Sequence, residues 1–130
     1  MTVPVASHPY QYVVLRYVPR VDREEFVNVG VVLYCHATDY LCAAWHLDPE
    51  RLVAFDAQVD VARLTAALTF VDGVCAGAAG TGSAALAPVS QRFGFLKAPR
   101  STVLQPGPVH GGVTTDAGRQ LDHLLATLVG

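Results

Sequence analysis

In the run Phe26 to Cys35 an apolar residue stands at every odd position: Val27, Val29, Val31, Leu33 and Cys35. Alternation of this kind, rich in β-branched residues, is strand chemistry, because successive side chains of a strand point to opposite faces. The run reads as one continuous apolar face, with Phe26, Asn28, Gly30, Val32 and Tyr34 on the other. A second run, Tyr10 to Val18, precedes it and stops at Pro19, which cannot donate to a ladder. The charged stretch Arg20 to Glu25 between them reads as a solvated connection, and a third strand, Tyr40 to Leu47, follows a turn at Ala37 to Asp39. Three strands joined by short connections make an antiparallel meander the simplest arrangement.

Helical signals follow. Asp48-Pro49-Glu50 supplies a capping carboxylate, a proline at the first helical position and an acid at the positive end of the dipole. Asp56 is expected to cap a longer helix to about Cys75, with Val61, Leu64, Leu68, Val71 and Cys75 as its apolar stripe. Gly77 to Ser83 has no pattern and reads as a loop, and residues 92–96 fit a strand or a helical turn. Ala98 to Gly112 holds too many prolines and glycines for a long helix, leaving room for a fourth, edge strand near Thr102 to Gln105. Thr115 or Asp116 opens a final helix with Leu121, Leu124, Leu125 and Leu128 on its dry face.

The expected fold class is therefore α+β: a three-stranded meander plus a possible fourth strand, covered on one face by helices. Val29, Val31, Leu33, Trp45, Leu64, Leu68, Leu121 and Leu125 form its expected core. A chain of 130 residues with 52% hydrophobic and 15% charged content fits a single domain, 1–130, and not a disordered segment. No apolar run approaches the ~18 residues of a membrane span, and Met1 to His8 lacks the pattern of a signal peptide, so a cytoplasmic location is expected.

The net charge of −2 is uneven: Gly73 to Thr115 has no acid but carries Arg92, Lys97 and Arg100. Such a segment is either ordinary surface or an anion-seeking one, and the acidic balance elsewhere argues against nucleic acid as partner. Three constellations could carry chemistry. Cys35, His36, Cys42 and His46 offer zinc donors if Cys35 faces Cys42 across the hairpin, but the spacing lacks a CxxC knuckle, so packed thiols and no metal are expected. Ser101, Thr102 and His110 contain a hydroxyl and an imidazole, yet no nucleophile elbow, HExxH, P-loop or dinucleotide fingerprint accompanies them, and no cofactor is expected. The third, an anion site, has the best physical basis. Arg100, Ser101 and Thr102 supply a guanidinium and hydroxyls, Gln105 and His110 further contacts, and Arg16 and Asn28 sit mid-strand among valines, where polar groups need partners. For Arg16 the partners on offer are Glu24, Glu25 or a bound anion, and an internal pair with Glu25 is expected over the anion; Asn28 beside Gly30 suggests either a hydrogen bond across the strand pair or a bulge at Gly30.

Two blocks, YQYVVLRYVPRVDREEFVNVGVVLYC near the N-terminus and RFGFLKAPRSTVLQPGPVHGGVTTD near the C-terminus, resemble the bacterial domain-of-unknown-function family 3037. The motif positions are Arg16, Glu25, Asn28, Gly30, Arg100, Ser101, Thr102 and His110. The resemblance implies a small bacterial protein whose gene often neighbours those of HipA-type serine/threonine kinases. It brings no established activity and no catalytic residues. The leading expectation is thus a non-enzymatic accessory or binding module working with a protein partner, the HipA-like kinase being the first candidate. The alternative is a small enzyme or ligand-binding protein acting on a phosphorylated or nucleotide substrate through the Arg100 loop. A homodimer through an exposed strand edge also fits so short a meander.

Overall fold

The computed structural model describes residues 5–78, 80–82, 87–100 and 102–130. Ser101 and parts of the 77–83 loop lie outside them. Five strands form one antiparallel sheet: β1 (His8–Tyr17), β2 (Val27–Cys35), β3 (Tyr40–Trp45), β4 (Leu104–Pro106) and β5 (His110–Thr114). The meander β1–β2–β3 is as expected. Both C-terminal strands line the free edge of β1, β4 against Leu15 to Tyr17 and β5 against His8 to Tyr12. They behave as one strand interrupted by residues 107–109, where Pro106 and Pro108 cannot donate to the ladder and the Gly107 amide alone bonds back to the Val14 carbonyl. The edge strand expected near Thr102 is β4, while β5 has no signal in its Gly111-Gly112 pair. A Cβ at Gly112 would lie 2.6 Å from the Tyr10 hydroxyl, so a glycine stands where the Tyr10 ring crosses the sheet.

Four helices complete the chain: α1 (Pro49–Phe55), α2 (Val61–Ala76), α3 (Val89–Lys97) and α4 (Ala117–Leu128). Asp48 caps α1 by accepting the Glu50 and Arg51 amides, and Asp116 caps α4 through the Arg119 amide. The longer helix starts later than expected. Asp60, not Asp56, caps α2 by accepting the Arg63 amide, and Asp56 closes α1 instead. Residues 92–96 belong to α3, whose Phe93 and Leu96 are buried.

The class is α+β, but the helices cover both faces of the sheet. A β-bulge decides how the side chains of β2 divide between those faces. Leu15 pairs with Gly30 and Arg16 with Asn28, so Val29 is an extra residue that reverses the alternation of β2. Val27 and Val29 consequently join Val32 and Tyr34 in a core with α1, α2 and α3, while Val31, Leu33 and Cys35 pack with Leu121, Leu124 and Val129 at α4. The apparently continuous odd-numbered stripe is split between two cores. Six of the eight expected core residues are buried; Trp45, at the sheet edge, and Leu125 are half-buried.

The hairpin β2–β3 also differs in register. A 3-10 turn at His36–Thr38 and a left-handed Asp39 (φ 52°) pair Cys35 with Tyr40 and Leu33 with Cys42, so Cys35 does not face Cys42. Among the described residues no helix is long and apolar enough to cross a membrane.

Candidate functional site

Arg16 sits at the bulge, where β1 meets Asn28 of β2 on one side and Gln105 of β4 on the other. Its guanidinium rests on the Phe26 ring, 4.0 Å from the centroid, in a cation–π contact. Gly107 approaches so closely that a Cβ there would meet Arg16 Cζ at 2.9 Å. The Arg16 Nε is buried and has no hydrogen-bond partner. The expected pair with Glu25 does not form, because Glu25 accepts from Arg23 at 2.8 Å. The other ion pair among the described residues, Arg20–Asp22 at 2.7 Å, is also local to that turn. Arg20, bonded to Asp22, holds the Asp22 carboxyl below its ordinary range.

Arg16 opens into a cleft of about 380 Å³, lined further by Val18, Val21, Glu24, Phe26, Gln105 and Pro106. The volume is at the low end of the roughly 300–1,000 Å³ typical of small-molecule sites. The stretch Arg20 to Glu25 is thus more than a solvated connection. Its 3-10 turn, Val21–Arg23, ends on Glu24 in the left-handed region at φ 54°, placing Val21 and Glu24 along the cleft. Glu24, one of the carboxylates considered as a partner for Arg16, lines the cleft without forming an ion pair with it, while Val18, Val21, Phe26 and Pro106 were not among the residues that sequence reasoning singled out. The nearest signal is Phe26, an aromatic at the start of the strand that pairs with Arg16's own.

Of the residues the sequence suggested, Arg16 and Gln105 come together here. Gln105 donates from Nε2 to the Thr102 carbonyl, and the Thr102 hydroxyl donates to the Leu104 carbonyl, so both tie down the turn into β4. Asn28 faces the end of α4. It donates to the Leu128 carbonyl at 3.2 Å, its Oδ1 is buried without a partner, and it lines a crevice of only about 40 Å³ with His46 and Arg51. His110 is exposed and stacks on Tyr12, 5.3 Å between centroids. Ser101 is outside the described residues.

Arg100 is not in the cleft lining. It lies over the Phe95 ring and donates to the Phe95 carbonyl near the C-terminal end of α3, where burial lowers its pKa. Arg92 does the same for α2, its Nη1 reaching the Val74 and Cys75 carbonyls at 3.0 and 2.9 Å. Arg51 reaches the Val129 carbonyl beyond α4 at 2.9 Å. The last carbonyls of a helix have no partner within it and carry the negative end of its dipole, so a guanidinium satisfies both needs. The positive segment seen in the sequence therefore places all three of its cations at helix C-terminal ends, Lys97 as the last residue of α3.

The remaining constellations resolve into packing. Cys35 donates to the Pro9 carbonyl at 3.5 Å and Cys42 to the Ala43 carbonyl at 3.6 Å. Burial pushes the Cys75 thiol up to about 12. Among the described residues no three His, Cys, Asp or Glu side chains are placed to hold a metal ion. The Thr102 hydroxyl and the His110 ring have separate partners. Outside the cleft, the Tyr17 hydroxyl donates to Asp56 at 2.6 Å, which ties the end of α1 to β1. Burial and then this bond push Tyr17 up to about 12.

Fold and site together describe an α+β domain with a small cleft built on one guanidinium that has no ionic partner among the described residues. The chain belongs to the family described as proteins of unknown function (DUF3037), whose model matches residues 12–129, from β1 to the end of α4. No curated protein and no solved structure matches it.

Proposed function

We propose that this protein is a non-catalytic binding module that takes a small charged ligand in the Arg16 cleft and works with a protein partner. The observation that carries the reading is Arg16: stacked on Phe26, packed by Gly107, with a buried Nε that has no partner. A buried donor left unsatisfied costs about 1–3 kcal/mol, and the rest of the Arg16 side chain lines the cleft, where an acceptor can arrive. The polar side chains of the cleft are one arginine, one glutamate and one glutamine. They can bind and orient, but they provide no nucleophile paired with a base. The partner half of the reading draws on Phe70 and Phe95, neighbouring rings on α2 and α3 that stay 41% and 42% exposed even with Arg100 over Phe95, an apolar patch that a partner can cover.

Thermal unfolding in propionate and in inorganic phosphate tests the site, since a ligand that binds only the folded state raises the melting temperature. The wild type gains more than Arg16→Gln from at least one of the two anions, with Arg16→Lys in between. Equal gains in all three proteins would contradict the reading. Capture from the native host on wild-type and Phe70→Ser/Phe95→Ser baits tests the partner, with the HipA-like kinase as first candidate. The wild type retains it and the double variant, folded, does not.

A further inference from the structure

We infer that the ligand of the cleft is an α-amino acid with an apolar side chain, bound as the zwitterion between Arg16 and Glu24. The inference rests on the cleft being a ligand site at all. Arg16 and Glu24 line the same space, yet they form no ion pair with one another. A plain anion would meet Arg16 but also the repulsion of Glu24, which grows with a doubly charged phosphate. A plain cation has the opposite difficulty. A ligand carrying both charges on adjacent groups satisfies both sites at once. Its carboxylate accepts from the guanidinium, whose stacking on Phe26 leaves it to bond in its own plane, and its ammonium donates to the Glu24 carboxylate.

The setting of Glu24 points the same way. It closes the 3-10 turn in the left-handed region at φ 54°, as Asp39 closes the other such turn at φ 52°. The turn at Glu24 is clamped on both sides, Arg20 to Asp22 and Arg23 to Glu25. Those pairs use up the neighbouring charges and leave the Glu24 carboxylate without an ionic partner among the described residues. Val18, Val21, Phe26 and Pro106 line the same cleft and offer an apolar surface to an aliphatic or aromatic side chain, with Gln105 as the remaining polar side chain.

Calorimetric titration with L-leucine, N-acetyl-leucine and leucinamide tests this directly, because the two derivatives each delete one charge. Leucine binds the wild type, and each derivative binds at least tenfold more weakly. Arg16→Gln loses leucine. Glu24→Gln weakens leucine and narrows its advantage over N-acetyl-leucine. Glu24→Gly, which suits the left-handed backbone, melts no lower than the wild type and still loses leucine tenfold or more. If N-acetyl-leucine binds as tightly as leucine, the zwitterion is wrong and a carboxylate site remains. If leucinamide binds as tightly as leucine, the zwitterion is equally wrong. If neither leucine nor its derivatives bind, while propionate or phosphate still protects the wild type over Arg16→Gln, the inference fails and the ligand site stands. If none of these ligands distinguishes wild type from Arg16→Gln, both readings fall together.

Discussion

Arg16 and Arg92 each bury an Nε that has no hydrogen-bond partner, and what separates them is the rest of the guanidinium. Arg92 uses its Nη1 on two carbonyls at the end of α2, so its position is accounted for by the fold. Arg16 has a ring beneath it and a cleft before it. Reading the sequence showed that a mid-strand arginine needs a partner; it could not show that Arg23 would take Glu25 first, since the competition is settled by a three-residue turn. Tyr17 illustrates a residue whose role is structural and testable. Its hydroxyl ionises at about 12 in the fold against an ordinary value of 10.0. The folded state thus holds this proton more tightly than the unfolded chain does. The resulting stability is fully present below pH 10 and is lost as pH rises from there through about 12. Tyr17→Phe removes a bond to a carboxylate, worth about 1.5–3 kcal/mol at neutral pH. Urea unfolding at neutral pH shows that loss, and the gap between variant and wild type closes in strongly alkaline solution. A gap that persisted unchanged would mean that the hydrogen bond is not its source.

At the level of elements, the strands β1 to β3, the caps of α1 and α4 and the later helix stripe were legible because each rests on local chemistry: alternation, a capping carboxylate, a period near 3.6. The bulge was legible only as one of two readings of Asn28 and Gly30, because one extra residue leaves an all-apolar strand looking regular while it exchanges the faces. Gly30, read as a possible bulge marker, is where the register shifts and the packing tightens. A Cβ at this position would meet Trp45 Cβ at 2.9 Å and the Ala44 carbonyl at 3.0 Å, both held by the adjoining strand. Gly30→Ala should therefore destabilise the protein by about 1–3 kcal/mol, as overpacking does. A denaturation midpoint equal to the wild type's would show that β3 yields freely and that the bulge does not fix the sheet. The strand β5 escaped notice for the opposite reason, since two glycines carry no pattern and their place is dictated by the Tyr10 ring across the sheet.

On the scale of the whole molecule, two helical layers flank one sheet, and the cleft lies where the bulge, the 3-10 turn and the β4 edge meet. Two segments distant in sequence build it, one running from Arg16 through Val18, Val21 and Glu24 to Phe26, the other Gln105 with Pro106. No spacing rule joins them, which is why Arg16, Glu24 and Gln105 could be suspected singly while Phe26 could not. The central claim, that Arg16 faces a ligand and Arg92 only a helix, has a direct reading in the arginine Nε–H signals of heteronuclear NMR spectra. Both Nε–H groups are buried, so Arg92 serves as an internal reference in the same sample. On titration first with propionate and then with L-leucine, the Arg16 signal should shift saturably with at least one of them while the Arg92 signal stays in place. An Arg16 signal that moves with neither, or only in step with Arg92, would contradict the account.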